Sequence, residues 1–386
     1  MRQLGLAFLV YPGASHTRFE HALGAYWLAR RALSLLEERG DLAGLEQSAC
    51  ADVRIAALLH DIGHYPFSHA LEEIGALHHE EVARPLICGG AVGDILRREL
   101  GNGAPDRIVE LIRGSSGSPL QGLISGSLDL DKIEYLRRDA HMCGVPYGEI
   151  DSERLLNSLV LIRPDRGGGE VASGGIGVAR SSSRIGVQEK GLSALESLLF
   201  AKYQMYRNVY WHHAVRSATA MYKRLVSDGL DAGSLTADQL AAFTDEGLLH
   251  QLETKGPNPL LRRLRERRLY KRQIEIPAAE LPPGAGEWIA DDWRRTTSVE
   301  DELASRFGLG RGELLLDYPA KTQMLGVNIP VLRRDGRVEL LSRETSGETI
   351  NLLKLSEDLY RSARWMRVFA AKPVKISRED VLRLLA

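Results

Sequence analysis

One helical segment constrains this fold more than any other feature of the sequence, because it is apolar nearly all round. Asp52 stands where an N-cap residue would stand, ahead of the run VRIAALL. A helix without a polar face is buried, so the pattern predicts a core helix. The segment runs directly into HDIGHYPFSH, where Gly63 and Pro66 predict that the helix breaks. This break would release His60 and Asp61 from simple helical geometry, which suits a functional site.

Helical patterns dominate the first 160 residues as well. An upstream segment predicts an amphipathic helix that ends at Gly40, since its large apolar residues recur near the 3.6-residue period. Those residues are Phe19, Leu23, Tyr26, Trp27, Leu33 and Leu36. A further long helix is expected over about 192–227, and its aromatic string FAKYQMYRNVYWHH predicts a core position.

Short strands are predicted at 159–162, 185–187, 274–276, 327–332 and 338–340, with a last helix over 379–385. The Gly- and Ser-rich stretch at about 164–184 predicts a flexible hairpin tip. We therefore expect a mainly α protein with a helical core over 1–255. A smaller C-terminal α/β unit with short antiparallel strands would span 256–386.

The charge balance argues against a dedicated nucleic-acid binder, because 50 Lys and Arg against 51 Asp and Glu give a net charge of −1. Nucleic acid remains a possible partner that nothing indicates. The three cysteines, Cys50, Cys88 and Cys143, form no CxxC pair and predict neither a disulfide framework nor a thiolate zinc site. With no apolar stretch of about 18 residues, the sequence predicts a cytoplasmic protein without a membrane partner.

The adjacent pair His60 and Asp61 could share one divalent cation through an imidazole nitrogen and a carboxylate oxygen. For an isolated pair, a hydrogen-bonded structural role is the commoner interpretation. Here His21 lies upstream, Asp131 lies downstream, and His64, His69 and His79 fall in the same third of the chain. This concentration of histidine and aspartate favours a metal site.

Four blocks of the sequence resemble the HD-domain phosphohydrolases, and within them the deoxynucleoside triphosphate triphosphohydrolases. They are YPGASHTRFEHALG, LLHDIGHYPFSHALEE, LDLDKIEYLRRDAHMCG and KYQMYRNVYWHH, in that order across about residues 2–225. The resemblance implies an HD-domain helical core in which His21, His60, Asp61 and Asp131 bind one divalent metal ion. Two nitrogens and two oxygens suit Mg, Mn, Fe, Co, Ni or Zn without choosing among them.

The same resemblance implies the catalytic residues. His69 matches the family's catalytic histidine, which would donate a proton to the leaving 5′ oxygen. Glu72, where the family usually has Asp, matches the carboxylate that orients it. His64 and His79 match histidines near the phosphates, although His78 leaves a one-residue ambiguity in register.

Substrate contacts are also implied. Arg18, Lys132 and Lys202 match phosphate-binding positions, and some relatives carry Arg in place of Lys202. Tyr135, Asp139, Tyr206 and Tyr210 match contacts to phosphate, sugar or base, with Tyr135 stacking beneath the deoxyribose; some relatives carry His in place of Tyr206. Gln3 and Leu4 match contacts to the base and sugar edge, at a terminus where chains often fray.

The function so implied is hydrolysis of deoxynucleoside triphosphates to deoxynucleoside and inorganic triphosphate, by a homo-oligomer whose C-terminal unit makes subunit contacts. The alternatives are a nucleotidase or phosphodiesterase acting on another phosphate ester, or a nucleotide sensor without turnover. Relatives carry a further segment before Gln3. We therefore expect either a minimal enzyme without the vertebrate type of nucleotide-activated site, or a start codon placed downstream of the true one.

Overall fold

The computed structural model describes residues 1–163, 183–320, 329–341 and 352–385. The largest apolar cluster is built mainly from the helices of the first half of the chain, and two further clusters hold residues of the later helices. In chain order the helices are α1 Arg18–Glu38, α2 Gln47–Leu59, α3 His79–Cys88, α4 Gly90–Leu100, α5 Ala104–Arg113, α6 Leu130–Cys143, α7 Ser152–Ser158, α8 Leu192–Met205, α9 His213–Asp231, α10 Ala237–Leu240, α11 Asp245–Glu253, α12 Pro259–Arg265, α13 Trp288–Asp291, α14 Trp293–Arg306, α15 Leu352–Ala363 and α16 Arg378–Leu385. None of the described helices is both long and apolar enough to cross a membrane.

The strands form two small sheets. One has the order β1-β2-β5-β6 and the other the order β3-β7-β4, and every pairing is antiparallel except that of β2 with β5. The strands are β1 Leu159–Ile162, β2 Arg184–Gln188, β3 Lys271–Pro277, β4 Leu314–Asp317, β5 Pro330–Leu332, β6 Val338–Leu340 and β7 Trp365–Ala370. The mainly α fold with short strands is therefore confirmed.

The predicted pairing of 185–187 with 159–162 is present as an antiparallel register of Leu159 with Val187. Most of the predicted hairpin tip, 164–182, lies outside the described residues, as do 321–328. The prediction of one helix over 192–227 is wrong. α8 ends at Met205, a π-helical turn follows at Tyr206–Tyr210, and α9 begins only at His213.

The apolar face predicted for α1 is buried only toward the end of the helix, at Leu33 and Leu36. Phe19, Leu23 and Trp27 remain 69%, 46% and 53% exposed. The buried face is instead built largely from small residues, including Ala22, Ala25, Ala29 and Ala32. Small side chains let α1 approach α2 and α6 closely, and that face also carries His21. In the first half of α1 the large apolar residues Phe19, Leu23 and Trp27 therefore point away from the packed neighbours.

Asp52 does not begin a helix. α2 starts five residues earlier, at Gln47, and Asp52 lies buried within it. Its carboxylate accepts hydrogen bonds from Arg107 Nε at 2.6 Å and Arg107 Nη2 at 3.2 Å. A buried carboxylate paired in this way can stand inside a helix, so it is not the helix boundary that its residue type suggested.

Ion pairs connect the C-terminal strands to the helical core. Arg216 of α9 donates to Asp317 at the end of β4 at 2.6 Å and to Glu73 at 3.2 Å. Lys223, also on α9, donates to Glu73 at 2.7 Å. Burial opposes the charge on Glu73, but the two cations outweigh it and hold the pKa of Glu73 at about 2. Glu73 therefore anchors its short helical turn as a carboxylate between two cations.

Candidate metal centre

Three separate helical segments bring two imidazoles and two carboxylates to one point. His21 comes from α1, His60 and Asp61 follow the end of α2, and Asp131 lies in the first turn of α6. Asp131 Oδ1 is 3.0 Å from His21 Nε2 and 3.4 Å from His60 Nε2. Asp61 Oδ1 is 3.4 Å from His60 Nε2, and its Oδ2 is 3.8 Å from His21 Nε2. His21, His60 and Asp61 thus offer ligand atoms within 4.8 Å of one another, and Asp131 contacts this group through the two imidazoles.

These separations fit a shared divalent cation. Ligands at about 2.1 Å from a metal ion lie about 3.0 Å apart at right angles and about 3.4 Å apart in a tetrahedron. The two Nε2 atoms of His21 and His60 are 3.3 Å apart, inside that range. A mixed set of two imidazoles and two carboxylates suits Mn, Fe, Co, Ni or Zn.

The carboxylates around the quartet strongly affect the pKa values of its two histidines. Burial opposes the charge on His21, but Asp131 and Glu134 outweigh it and raise the pKa of His21 to about 10. Burial likewise opposes the charge on His60, yet Asp61 and Asp131 raise the pKa of His60 to about 9. The carboxylates therefore stabilise positive charge at this point. Cation binding here must release protons.

Glu134 is a partner of the site that the sequence analysis missed. Its Oε2 lies 2.5 Å from His21 Nδ1, and its other oxygen accepts from Arg138 Nε at 2.6 Å. A carboxylate on the far nitrogen fixes the ring and raises the basicity of Nε2, as in many metal sites. The signal was present in the sequence, because Glu134 lies three residues after Asp131 and therefore near the same face of α6.

A second cluster of titratable groups lies beside the quartet. Glu72 accepts from both neighbouring imidazoles, with Oε2 at 3.1 Å from His69 Nδ1 and Oε1 at 2.8 Å from His79 Nδ1. The rings of His64 and His79 stack with centroids 3.9 Å apart. Burial opposes the charge on Glu72, but the two imidazoles hold the pKa of Glu72 well below its usual range. The structure thus brings all four residues predicted as catalytic together.

An unusual backbone conformation places His69. Phe67 and Ser68 both have positive φ angles, of 57° and 67°, which side-chain-bearing residues rarely adopt. Asp245, the first residue of α11, holds this segment, because its Oδ1 accepts from the Phe67 N–H at 2.8 Å. Its Oδ2 accepts from the Arg2 N–H at 2.7 Å. One buried carboxylate therefore ties the chain start to the loop before His69.

The N-terminal residues are pinned at the site rather than frayed. The Gln3 N–H donates to the His16 carbonyl at 3.0 Å, and Ser68 Oγ donates to the Gln3 carbonyl at 2.9 Å. Leu4 packs against the main apolar cluster. Gln3 Oε1 is buried and has no hydrogen-bond partner among the described residues. His16 Nδ1 and Arg18 Nε are also buried without a hydrogen-bond partner among the described residues.

Asp139 joins two rings at the deeper end of α6. Its Oδ1 is 2.8 Å from His16 Nε2, and its Oδ2 accepts from the Tyr210 hydroxyl at 2.7 Å. His16 is another residue that the sequence analysis missed. Burial raises the pKa of Asp139. Tyr135 lies 6.3 Å from Tyr210 between ring centroids, and Tyr206 lies 5.0 Å from it, so the three predicted tyrosines share one wall.

The cations predicted to contact phosphate have protein partners. Arg18 Nη1 donates to Asp61, and Lys132 Nζ donates to Asp129 and to the Gly126 carbonyl. Lys202 is buried, and burial lowers the pKa of Lys202 to about 8. A buried ammonium with a weakened hold on its proton gains from an anion placed beside it.

Two families match the chain. The HD domain matches residues 18–132, and the HD associated region matches residues 178–375. Among curated relatives, an uncharacterized protein of Methanocaldococcus jannaschii is 33% identical over 339 residues, covering 87% of this chain and 66% of its own length. The deoxynucleoside triphosphate triphosphohydrolase SAMHD1 of Bos taurus is 25% identical over 70% of this chain and 53% of its own length.

The fold has a close counterpart among solved structures. A phosphohydrolase from Bacteroides thetaiotaomicron aligns with a TM-score of 0.69 at 23% identity, covering 96% of this chain and 92% of the other. This chain therefore spans nearly all of that structure, but only about half to two thirds of the curated relatives.

Proposed function

Because this chain belongs to the HD-domain phosphohydrolases, we propose that it hydrolyses deoxynucleoside triphosphates to a deoxynucleoside and inorganic triphosphate. The observation that carries the proposal is the convergence of His21, His60, Asp61 and Asp131, with the four-residue cluster of His69 directly beside it. Relatives that carry a triphosphohydrolase name, at 25% and 27% identity, support the substrate class.

The quartet fits a single divalent cation, of which the native identity is open. When bound, such an ion supplies polarisation of a phosphoryl oxygen and lowers the pKa of water, so that a nucleophile exists near neutrality. Arg18, held on Asp61, keeps a guanidinium beside the same carboxylate, and its buried Nε has no partner among the described residues. We propose that this face of Arg18 contacts a phosphate oxygen of the substrate.

Proton transfer falls to His69. Water attacks the α-phosphorus and releases a proton to the solvent, the bond from phosphorus to the 5′ oxygen breaks, and the leaving oxygen takes a proton from His69 Nε2. His69 then regains a proton from the solvent. Glu72 accepts from His69 Nδ1 and so fixes the ring with Nε2 pointing away from the carboxylate. Glu72 also holds His79, which we propose contributes charge near the phosphates.

Sugar and base would lie along α6 and the tyrosine wall. We propose that Tyr135 packs beneath the deoxyribose, with Tyr206, Tyr210 and Asp139 completing that wall. The buried side-chain oxygen of Gln3 accepts no hydrogen bond from the described residues, as expected for a group that binds a ligand. Lys132 and Lys202 supply positive charge toward the triphosphate end.

Product identification tests this function. The metal-loaded protein is incubated with each deoxynucleoside triphosphate singly and with all four together, and the products are separated by chromatography. Inorganic triphosphate and deoxynucleoside in equal amounts are expected. Release of phosphate or pyrophosphate instead would identify a different phosphohydrolase, and nucleotide binding without turnover under every metal condition would identify a sensor.

Two variants separate the metal site from the proton donor. Asp131→Ala should lose both the bound metal and the activity. His69→Gln should retain the metal and lower kcat by about 10²–10⁴-fold, the usual contribution of general acid catalysis. The exposed His250 provides a matched control, because it lies on α11 and, among the described residues, forms an ion pair with Glu253 alone. His250→Gln should leave both quantities unchanged.

A further inference from the structure

We propose that His64 and His69 form a second divalent-cation site, selective for zinc-like ions and distinct from the quartet. The proposal starts from a short contact, because His64 Nε2 and His69 Nε2 lie 3.3 Å apart. The same separation joins the two Nε2 atoms of His21 and His60 in the quartet. Two zinc–nitrogen bonds of about 2.0–2.1 Å at a tetrahedral angle span about 3.3–3.4 Å.

When both rings are neutral, the two facing nitrogens are lone-pair donors rather than hydrogen-bond donors. His64 Nδ1 lies 3.2 Å from Asp61 Oδ1 and 3.3 Å from the Asp61 carbonyl, so the ring proton belongs on Nδ1. His69 Nδ1 lies 3.1 Å from Glu72 Oε2, which places that ring's proton on Nδ1 too. In neutral rings, the two Nε2 atoms then face each other with no hydrogen between them. A bound cation would satisfy both.

The surroundings provide what a metal site needs beyond two nitrogens. His64, His69, Glu72 and His79 each offer one ligand atom, and these atoms lie within 4.8 Å of one another. Glu72 and Asp61 are carboxylates behind the rings, the arrangement that fixes the tautomer and raises the basicity of a coordinating imidazole. His69 is 59% exposed at its side chain, so an ion can enter from solvent.

The donor set determines which ions bind. Imidazole suits zinc, nickel and copper, whereas magnesium prefers oxygen ligands and surrenders its water reluctantly. The second site should therefore take Zn²⁺ and not Mg²⁺. Its occupation would place a cation on the nitrogen from which His69 donates its proton. Excess Zn²⁺ is then an inhibitor, and this consequence alone rests on the proposed function.

Calorimetric titration of metal-free protein with Zn²⁺, checked by elemental analysis after gel filtration, tests the site without any substrate. Wild type should bind two equivalents of Zn²⁺. Asp131→Ala and His69→Ala should each bind one, at different sites, and Glu72→Gln should weaken the second equivalent by about 10–100-fold. Mg²⁺ should fill no site at His64 and His69, so the side-chain nitrogen resonances of these rings should shift with Zn²⁺ only.

His78→Gln is the matched control, because His78, His79 and Glu80 form another group that could hold an ion. The His78→Gln variant should still bind two equivalents of Zn²⁺. A single equivalent in wild type, or two equivalents in His69→Ala, would overturn the proposal. Loss of the second equivalent in His78→Gln would also overturn it by moving the ion to the neighbouring group. Circular dichroism of each variant verifies folding. If a variant does not fold, the side-chain nitrogen resonances of His64 and His69 in wild type show whether Zn²⁺ binds there.

Discussion

Replacing Asp245 tests how the chain start and the loop before His69 are held at the site. The carboxylate accepts two backbone hydrogen bonds in a buried position, from Arg2 at 2.7 Å and from Phe67 at 2.8 Å. A hydrogen bond to a charged group contributes about 1.5–3 kcal/mol, and a buried donor left without a partner costs about 1–3 kcal/mol. Asp245→Ala should therefore lower the free energy of unfolding by about 3 kcal/mol. Asp245→Asn keeps an acceptor oxygen for one of the two donors, so it should cost about half as much.

Urea denaturation followed by circular dichroism measures the loss, and hydrogen exchange at the Phe67 and Arg2 amides locates it. Both amides should exchange faster in Asp245→Ala, together with a higher KM, since Gln3 and His69 lose their common anchor. The neighbouring Glu246 is half exposed, and Glu246→Ala is the control for a general effect at this helix start. A change below about 0.5 kcal/mol with unaltered exchange at Phe67 would refute the reasoning.

Three other perturbations follow from buried polar groups. Arg216→Met leaves Asp317 without its main cation, so the free energy of unfolding from thermal denaturation should fall by about 3–5 kcal/mol. Arg216→Lys is the control that keeps the charge, and it should change this free energy little if charge alone matters. Tyr222→Phe removes the buried bond from its hydroxyl to the Pro66 carbonyl and should cost about 1 kcal/mol by the same measurement. Burial raises the pKa of Glu300 from 4.5 to about 7, so the folded chain holds a proton that the unfolded chain releases. Stability should therefore fall by about 1.4 kcal/mol per pH unit as the pH rises across that interval, and a Glu300→Gln chain with an equally steep slope would contradict this assignment.

Local chemistry made much of the helical fold predictable. The break after α2 follows from Gly63 and Pro66, because both limit helix continuation, and the strand pair 159–162 with 185–187 follows from its apolar runs. The outward face of α1 was not predictable from periodicity. Phe19 and Trp27 carry the stronger apolar signal, yet alanines form the packed face, since packing geometry and not hydrophobicity decided the orientation.

Some residues of the candidate site were also predictable from the sequence, and others were not. His21, His60, Asp61 and Asp131 could be named from residue type and order, because cation chemistry restricts the ligands to a few side chains. His16 and Asp245 could not, since their roles depend on partners more than 100 residues away in sequence. Hydrogen bonds across such separations exist only once the chain is folded, and no spacing rule encodes them.

The sheet β1-β2-β5-β6 bears on any attempt to divide this polypeptide at residue 255. β2 precedes that point and β5 follows it, and the two run parallel with Val187 beside Val331. A shortened polypeptide ending there would expose the unsatisfied amides and carbonyls of β2 along an open edge. Such edges recruit strands from other molecules. Shortened forms are thus expected to aggregate through β2, even though every metal-binding side chain is still present.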